Sequence, residues 1–190
     1  MPWTRIAPRI AGSSGVDRAA GPGGATGEAY AVVLLDAGPL GLLTHPRRAQ
    51  REEPFRWLVG LRRANVRVAA PEIADYDLRR ELIRAGKTDS VGRLDALEDE
   101  LVYLPLTTKV MRRAADLWAD ARNRGRPTAP DPALDGDVIL AAQALVLEEE
   151  LGEGVFVATT NPEHISRYVA AGDWRDVGPS IGDAAEDDKP

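Results

Sequence analysis

The feature that most constrains this chain is a five-residue run, Ala31-Val-Val-Leu-Leu35, apolar at every position and ending abruptly in Asp36. A strand with one wet face alternates apolar and polar residues, whereas an unbroken apolar run belongs to a sheet covered on both faces. Such a sheet is parallel, and each parallel pairing needs a crossover helix.

The rest of the chain supplies the crossovers. Residues 47–64 carry Phe55, Trp57, Leu58 and Leu61 at helical spacing, and residues 66–69 form a second strand. Pro71 opens a helix reaching about Ala85, with Gly86 placed to end it. A helix over 88–99, a strand over 101–104 and a helix from about 107 to 123 come next, then a polar loop over 125–132. Asp135 starts a helix running to about Glu149, residues 155–158 make a fourth strand, and a helix near 162–171 leads to a weak strand at 174–177. Strand and helix in alternation with short loops predict an α/β fold of three layers, α/β/α, around a central parallel sheet of four to five strands.

The length suits one domain, and 44% hydrophobic residues suffice for a core. Residues 1–28, with Gly-Ser-Ser-Gly at 12–15 and Gly-Pro-Gly-Gly at 21–24, are expected to be a flexible leader, and 179–190 a solvated acidic tail. The predicted fold therefore occupies 29–178. No signal-peptide core and no apolar stretch of ~18 residues occurs, so no membrane span is expected. With no Cys, disulfides, zinc–thiolate sites and cysteine nucleophiles are excluded, and a cytoplasmic location is expected. Two histidines remain, His45 and His164, so any metal held here must be a hard cation on carboxylates. The net charge of −6 argues against binding nucleic acid through bulk positive charge. Leader (+1) and tail (−3) leave −4 on residues 29–178, so the core is acidic in its own right.

Ligands of open parallel sheets bind beyond the carboxyl ends of the strands, which makes the residue ending each strand informative. Asp36 ends the first; it is costly to bury without a compensating cation, or it caps the short helix that follows. After the second strand, Asp77 shares a helix face with Ile73 and Glu81, a spacing that a solvated salt-bridge helix also produces. The segment Leu134-Asp-Gly-Asp-Val-Ile-Leu-Ala-Ala-Gln-Ala-Leu145 is almost wholly apolar past its first turn, yet carries Asp135 and Asp137 there. Two residues apart they are turned ~200° from each other, so Asp135 is assigned to the cap and Asp137 to a site. The fourth strand closes on Thr159, Thr160 and Asn161, uncharged oxygen donors; Asn161 before Pro162 is also a natural cap.

Taken together, Leu-Leu-Asp36-Ala-Gly, the Ile73-Ala-Asp-Tyr-Asp-Leu-Arg-Arg-Glu-Leu82 helix, Leu134-Asp-Gly-Asp137-Val-Ile-Leu-Ala-Ala142 and Ala158-Thr-Thr-Asn161 resemble the PIN-domain family, in order and spacing, over about residues 31–178. Active members of that family are metal-dependent ribonucleases, many of them VapC-type toxins of toxin–antitoxin pairs. The resemblance implies metal ligands at Asp36, Asp77 and Asp137, with Asn161 as the fourth catalytic position and Thr159 or Thr160 adding a hydroxyl. It departs at Asp77, where the family usually has Glu, and at the uncharged Asn161. Asp75 and Glu81 are the fallback ligands, with Asp135 a further candidate. The implied cofactor is Mg2+ or Mn2+, which would neutralise the acids and activate water; the implied partners are RNA, an antitoxin protein and a second copy of the chain.

For RNA, Arg47, Arg48, Arg51, Arg56, Arg62 and Arg63 lie on one helix and Arg79, Arg80 and Arg84 on another, with Arg80 and Arg84 making a pair on a face of that helix other than the one Asp77 and Glu81 share. The histidines are expected at the surface and outside the chemistry. The competing expectation is a PIN-like interaction module that has lost its catalysis. A phosphoryl-accepting receiver lacks its second strand-end Asp here, and no Gly-x-Gly-x-x-Gly follows the first strand.

Overall fold

The computed structural model describes residues 30–125 and 135–178. The expected leader and tail, and nearly all of the polar loop, lie outside the described residues. In chain order the elements are β1 (Val32–Leu35), α1 (Ala37–Leu43), α2 (Arg48–Arg63), β2 (Arg67–Pro71), α3 (Glu72–Arg84), α4 (Thr88–Glu100), β3 (Val102–Leu104) and α5 (Thr108–Asn123). After residues 126–134, which are not among those described, come α6 (Gly136–Leu151), β4 (Val155–Thr159), α7 (Pro162–Ile165) and β5 (Ala171–Asp173).

All strand pairs are parallel, in the order β3-β2-β1-β4-β5. The chain builds outward from β1 in one direction through β2 and β3, then returns to place β4 on the other side of β1. That reversal opens the crevice in which open α/β sheets bind ligands, and β1 borders it.

The apolar run behaves as a doubly covered strand must. Val32 and Leu34 point into one core, shared with Val110 and Ala114 of α5 and Val138 to Leu147 of α6. Val33 and Leu35 point into the other, shared with Leu40 of α1, Leu58 and Leu61 of α2 and Leu94 of α4. β4 divides in the same way, Val155 and Val157 facing the α6 side and Phe156 and Ala158 the α1/α2 side. Helix α6 is buried along nearly its whole length between sheet and α5, which explains its lack of a polar face. Its polar interior residue, Gln143, donates from Nε2 to the Leu104 carbonyl at 2.8 Å and so ties α6 to the end of β3.

Two expectations near the carboxyl end are corrected. The helix placed near 162–171 stops at Ile165, and the strand placed at 174–177 is a 3-10 turn, Trp174–Asp176; the fifth strand lies earlier, at Ala171–Asp173. The apolar signal of Trp174 and Val177 comes from packing, not pairing. Trp174 is buried against Trp57 of α2 at 5.4 Å, edge to face, and Trp57 Nε1 donates to the Val177 carbonyl at 2.7 Å. The short helix after Asp36 is a full two turns, α1.

Leu34 is fully buried at the centre of β1. Leu34→Ala is expected to cost ~2–5 kcal/mol, read as a lower midpoint in chemical denaturation with an unchanged slope.

Candidate active site at the carboxyl ends of the strands

Asp36 follows directly from the end of β1. Because Leu35 pairs in register with Ala158, the next residues, Asp36 and Thr159, stand side by side, and the Asp36 amide donates to the Ala158 carbonyl at 3.0 Å. Thr159 is buried and donates from Oγ1 to Asp36 Oδ2 at 2.6 Å, while Asp36 Oδ1 accepts the Ala37 amide at 2.6 Å. Asp36 therefore both caps α1 and presents a carboxylate held on each oxygen.

Asp77 comes from the second turn of α3, whose start is fixed by burial of Ile73 and Ala74. It reaches α6 because residue 136 is glycine: a Cβ there would collide with Asp77 Oδ2. Arg80, one turn on, pairs with Asp77 Oδ1 at 3.0 Å and lies over the Tyr76 ring at 5.2 Å. Asp137 stands in the first turn of α6, where the positive end of the helix favours a carboxylate. Asp135, one position before the helix, accepts the Val138 amide at 3.3 Å and lies 3.9 Å from Arg122, so it is committed to the cap.

Three elements distant in sequence thus deliver three aspartates to one neighbourhood, and their electrostatics show the crowding. Burial pushes the Asp77 carboxyl above its ordinary value; Arg80 pulls it back, and Asp36 and Asp137 push it further up. Burial also raises Asp137, opposed by the hydrogen bond from His164 and reinforced by Asp36 and Asp135.

The remaining candidates separate clearly. Thr159 stands on Asp36. Thr160 is exposed and packs over the first turn of α1, where Gly38 leaves no Cβ to meet it. Asn161 is exposed; its amide donates to Thr159 Oγ1 at 3.0 Å, and its side chain makes no cap bond to α7. Glu81 is exposed and paired with Arg84 at 2.7 Å. Asp75 faces away toward α4 in a network with Arg79, Asp95 and Glu98, where burial and Asp75 lift the Glu98 carboxyl to about 7. That network occupies Arg79, so of the three α3 arginines it is Arg80 that touches the acid cluster. Arg48, Arg51 and Arg56 of α2, with Arg93 of α4, instead line a separate cavity of about 460 Å³ floored by Leu43 and Leu97.

His164, expected at the surface and outside the chemistry, stands against the site: its Nδ1 lies 3.2 Å from Asp137 Oδ2, with 38% of the side chain exposed. Among the described residues, no group of three or more His, Cys, Asp or Glu side chains is drawn together closely enough to enclose a metal ion as it stands. The donor set nonetheless fits a hard divalent cation in kind. It is all oxygen, anionic and partly desolvated, and it carries mutual repulsion that such a cation relieves.

No family model matches the chain, and no curated protein matches it. Solved structures do. A chain of VapBC2 from Rickettsia felis, bound to a DNA fragment from their promoter, matches 75% of this chain and 98% of its own length, with a TM-score of 0.60 and 14% identity. A chain of FitAcB from Neisseria gonorrhoeae matches 76% and 99%, at 0.54 and 21%. One from VapBC-1 of nontypeable Haemophilus influenzae matches 76% and 99%, at 0.52 and 18%. The chain shares their fold, the three-layer PIN-like arrangement with its five-stranded parallel sheet.

The raised Asp77 carboxyl has a sign. A carboxyl lifted in the folded chain favours the fold while protonated and disfavours it once ionised. Stability therefore falls as pH climbs from the ordinary 3.8 through the raised folded value. Asp77→Asn should melt higher than wild type at neutral pH in EDTA, with the gap closing toward pH 3.8. Parallel melting curves across that range would refute the electrostatic account.

Proposed function

We propose that this chain is a Mg2+- or Mn2+-dependent endoribonuclease and the toxin of a toxin–antitoxin pair. The observation that carries the reading is the convergence of Asp36, Asp77 and Asp137, from β1, α3 and α6, at the carboxyl ends of a PIN-like sheet. The VapBC and FitAcB neighbours support the toxin role and an antitoxin partner.

Asp36, Asp77 and Asp137 would hold the metal. When bound, such an ion lowers the pKa of a coordinated water and offsets charge developing on a phosphodiester oxygen. The chain's own residues do the rest. Thr159 keeps the Asp36 carboxylate aimed out of the sheet, through the bond at 2.6 Å. Gly136 gives Asp77 its place against α6, compensating for a side chain one methylene shorter than Glu. Arg80 brings a guanidinium to the rim of the acids, where a phosphate would lie, with Arg84 beyond it on α3; Asn161 supplies a neutral amide beside β4. RNA would then be held by local cations beside the acids and not by bulk positive charge, in keeping with the net charge of −6. No helix among the described residues is long and apolar enough to cross a membrane. A cytoplasmic location and a homodimer complete the proposal.

A second reading, a PIN-like interaction module without catalysis, is favoured by the existing partners of two acids: Arg80 on Asp77 and His164 on Asp137. Incubation of single-stranded and structured RNA with Mn2+ or Mg2+ separates the two. Wild type should cleave, EDTA should abolish cleavage, and Asp36→Asn and Asp137→Asn should each lower the rate on the order of 10²-fold or more. Equal cleavage by all three proteins would overturn the assignment; binding of metal with no cleavage by any would establish the module.

A further inference from the structure

We propose that His164 is the positioning residue of Asp137, fixing the orientation in which that carboxylate receives a divalent cation; the inference rests on the metal-site reading above. Each of the three aspartates has one dedicated side-chain partner: Thr159 for Asp36, Arg80 for Asp77 and His164 for Asp137. Asp36 is held on both oxygens, whereas His164 engages Asp137 at Oδ2 and, among the described residues, nothing holds Oδ1. One oxygen is thereby anchored and the other left for a ligand. This is the relation of a metal-ligating group to the outer partner that orients it.

The histidine is itself placed by the fold. Pro162, with its restricted φ, begins α7 after the two residues that follow the end of β4, and Ile165, buried at 2%, anchors the turn to the α6 side of the sheet. The Ser166 amide closes the turn on the Pro162 carbonyl at 3.0 Å. His164 is thus held over the first turn of α6 by its neighbours, and the ring adds the contact to Asp137. With Nδ1 directed at the carboxylate, Nε2 is the ring nitrogen turned away from it.

That geometry sets the test. An asparagine at 164 places its amide donor near the position of Nδ1, while a glutamine places it near Nε2. Mn2+ binding to the full chain is measured by calorimetry for wild type, His164→Ala, His164→Asn and His164→Gln, with melting temperatures to verify folding and Asp137→Asn as reference. His164→Ala should weaken Mn2+ about tenfold, His164→Asn should restore most of the affinity, and His164→Gln should resemble His164→Ala. Wild-type affinity in His164→Ala overturns the inference and leaves the metal reading standing. So does equal loss in the Asn and Ala variants, which assigns His164 a merely structural role. Absence of Mn2+ binding dependent on Asp137 in wild type overturns the metal reading and the inference with it.

Discussion

A carboxylate cannot sit inside a sheet covered on both faces, and that exclusion organises the molecule around Asp36. Val32 through Leu35 are each buried, alternately against α5/α6 and α1/α2, so the first charged residue of β1 can stand only where the covering helices end. The parallel register with β4 then decides what stands next to it. Leu35 opposite Ala158 puts Thr159 beside Asp36, and a hydroxyl from a buried residue orients the charge at no electrostatic cost. The same register that closes the core therefore builds the first element of the site.

The other two acids are brought in at a cost that the fold carries in identifiable places. Burial and mutual repulsion raise both Asp77 and Asp137, so the ionised cluster works against folding. Arg80 and His164 reduce that cost from outside the cluster, and the positive end of α6 reduces it from within. Gly136 is part of the same economy of space, since a Cβ there would meet Asp77 Oδ2 and oblige the carboxyl to turn. Raised carboxyls drawn together at a cost to stability are the pattern that functional sites show.

The parallel sheet and its covering on both faces were legible because apolar runs and helical periodicity report burial directly, whereas the strand order came only from the structure. Asp36 and Asp137 stood out for the same reason, each a charge at the edge of a segment otherwise without polar residues. What escaped was set by short elements. α7 and β5 span four and three residues, too few to show a period, and the aromatic signal at Trp174 belonged to a contact with Trp57 more than a hundred residues away. His164 escaped with them, because its meeting with Asp137 depends on where α7 turns and not on spacing along the chain. Arg79 and Arg80 show the limit most sharply: adjacent in sequence, one is spent on Asp75, Asp95 and Glu98, the other faces the acids.

The acidity of the fold now has two separate meanings. Asp75, Asp95 and Glu98 gather around Arg79 and tie α3 to α4, with the Glu98 carboxyl lifted to about 7 by burial and Asp75, so their charge serves packing. Asp36, Asp77 and Asp137 meet one arginine, on Asp77, and one histidine ring, against Asp137, at the rim. On the proposed reading, a divalent ion held by the three acids would lie beside the guanidinium that Arg80 already brings to Asp77. An acidic chain can in this way handle a polyanion without a basic surface.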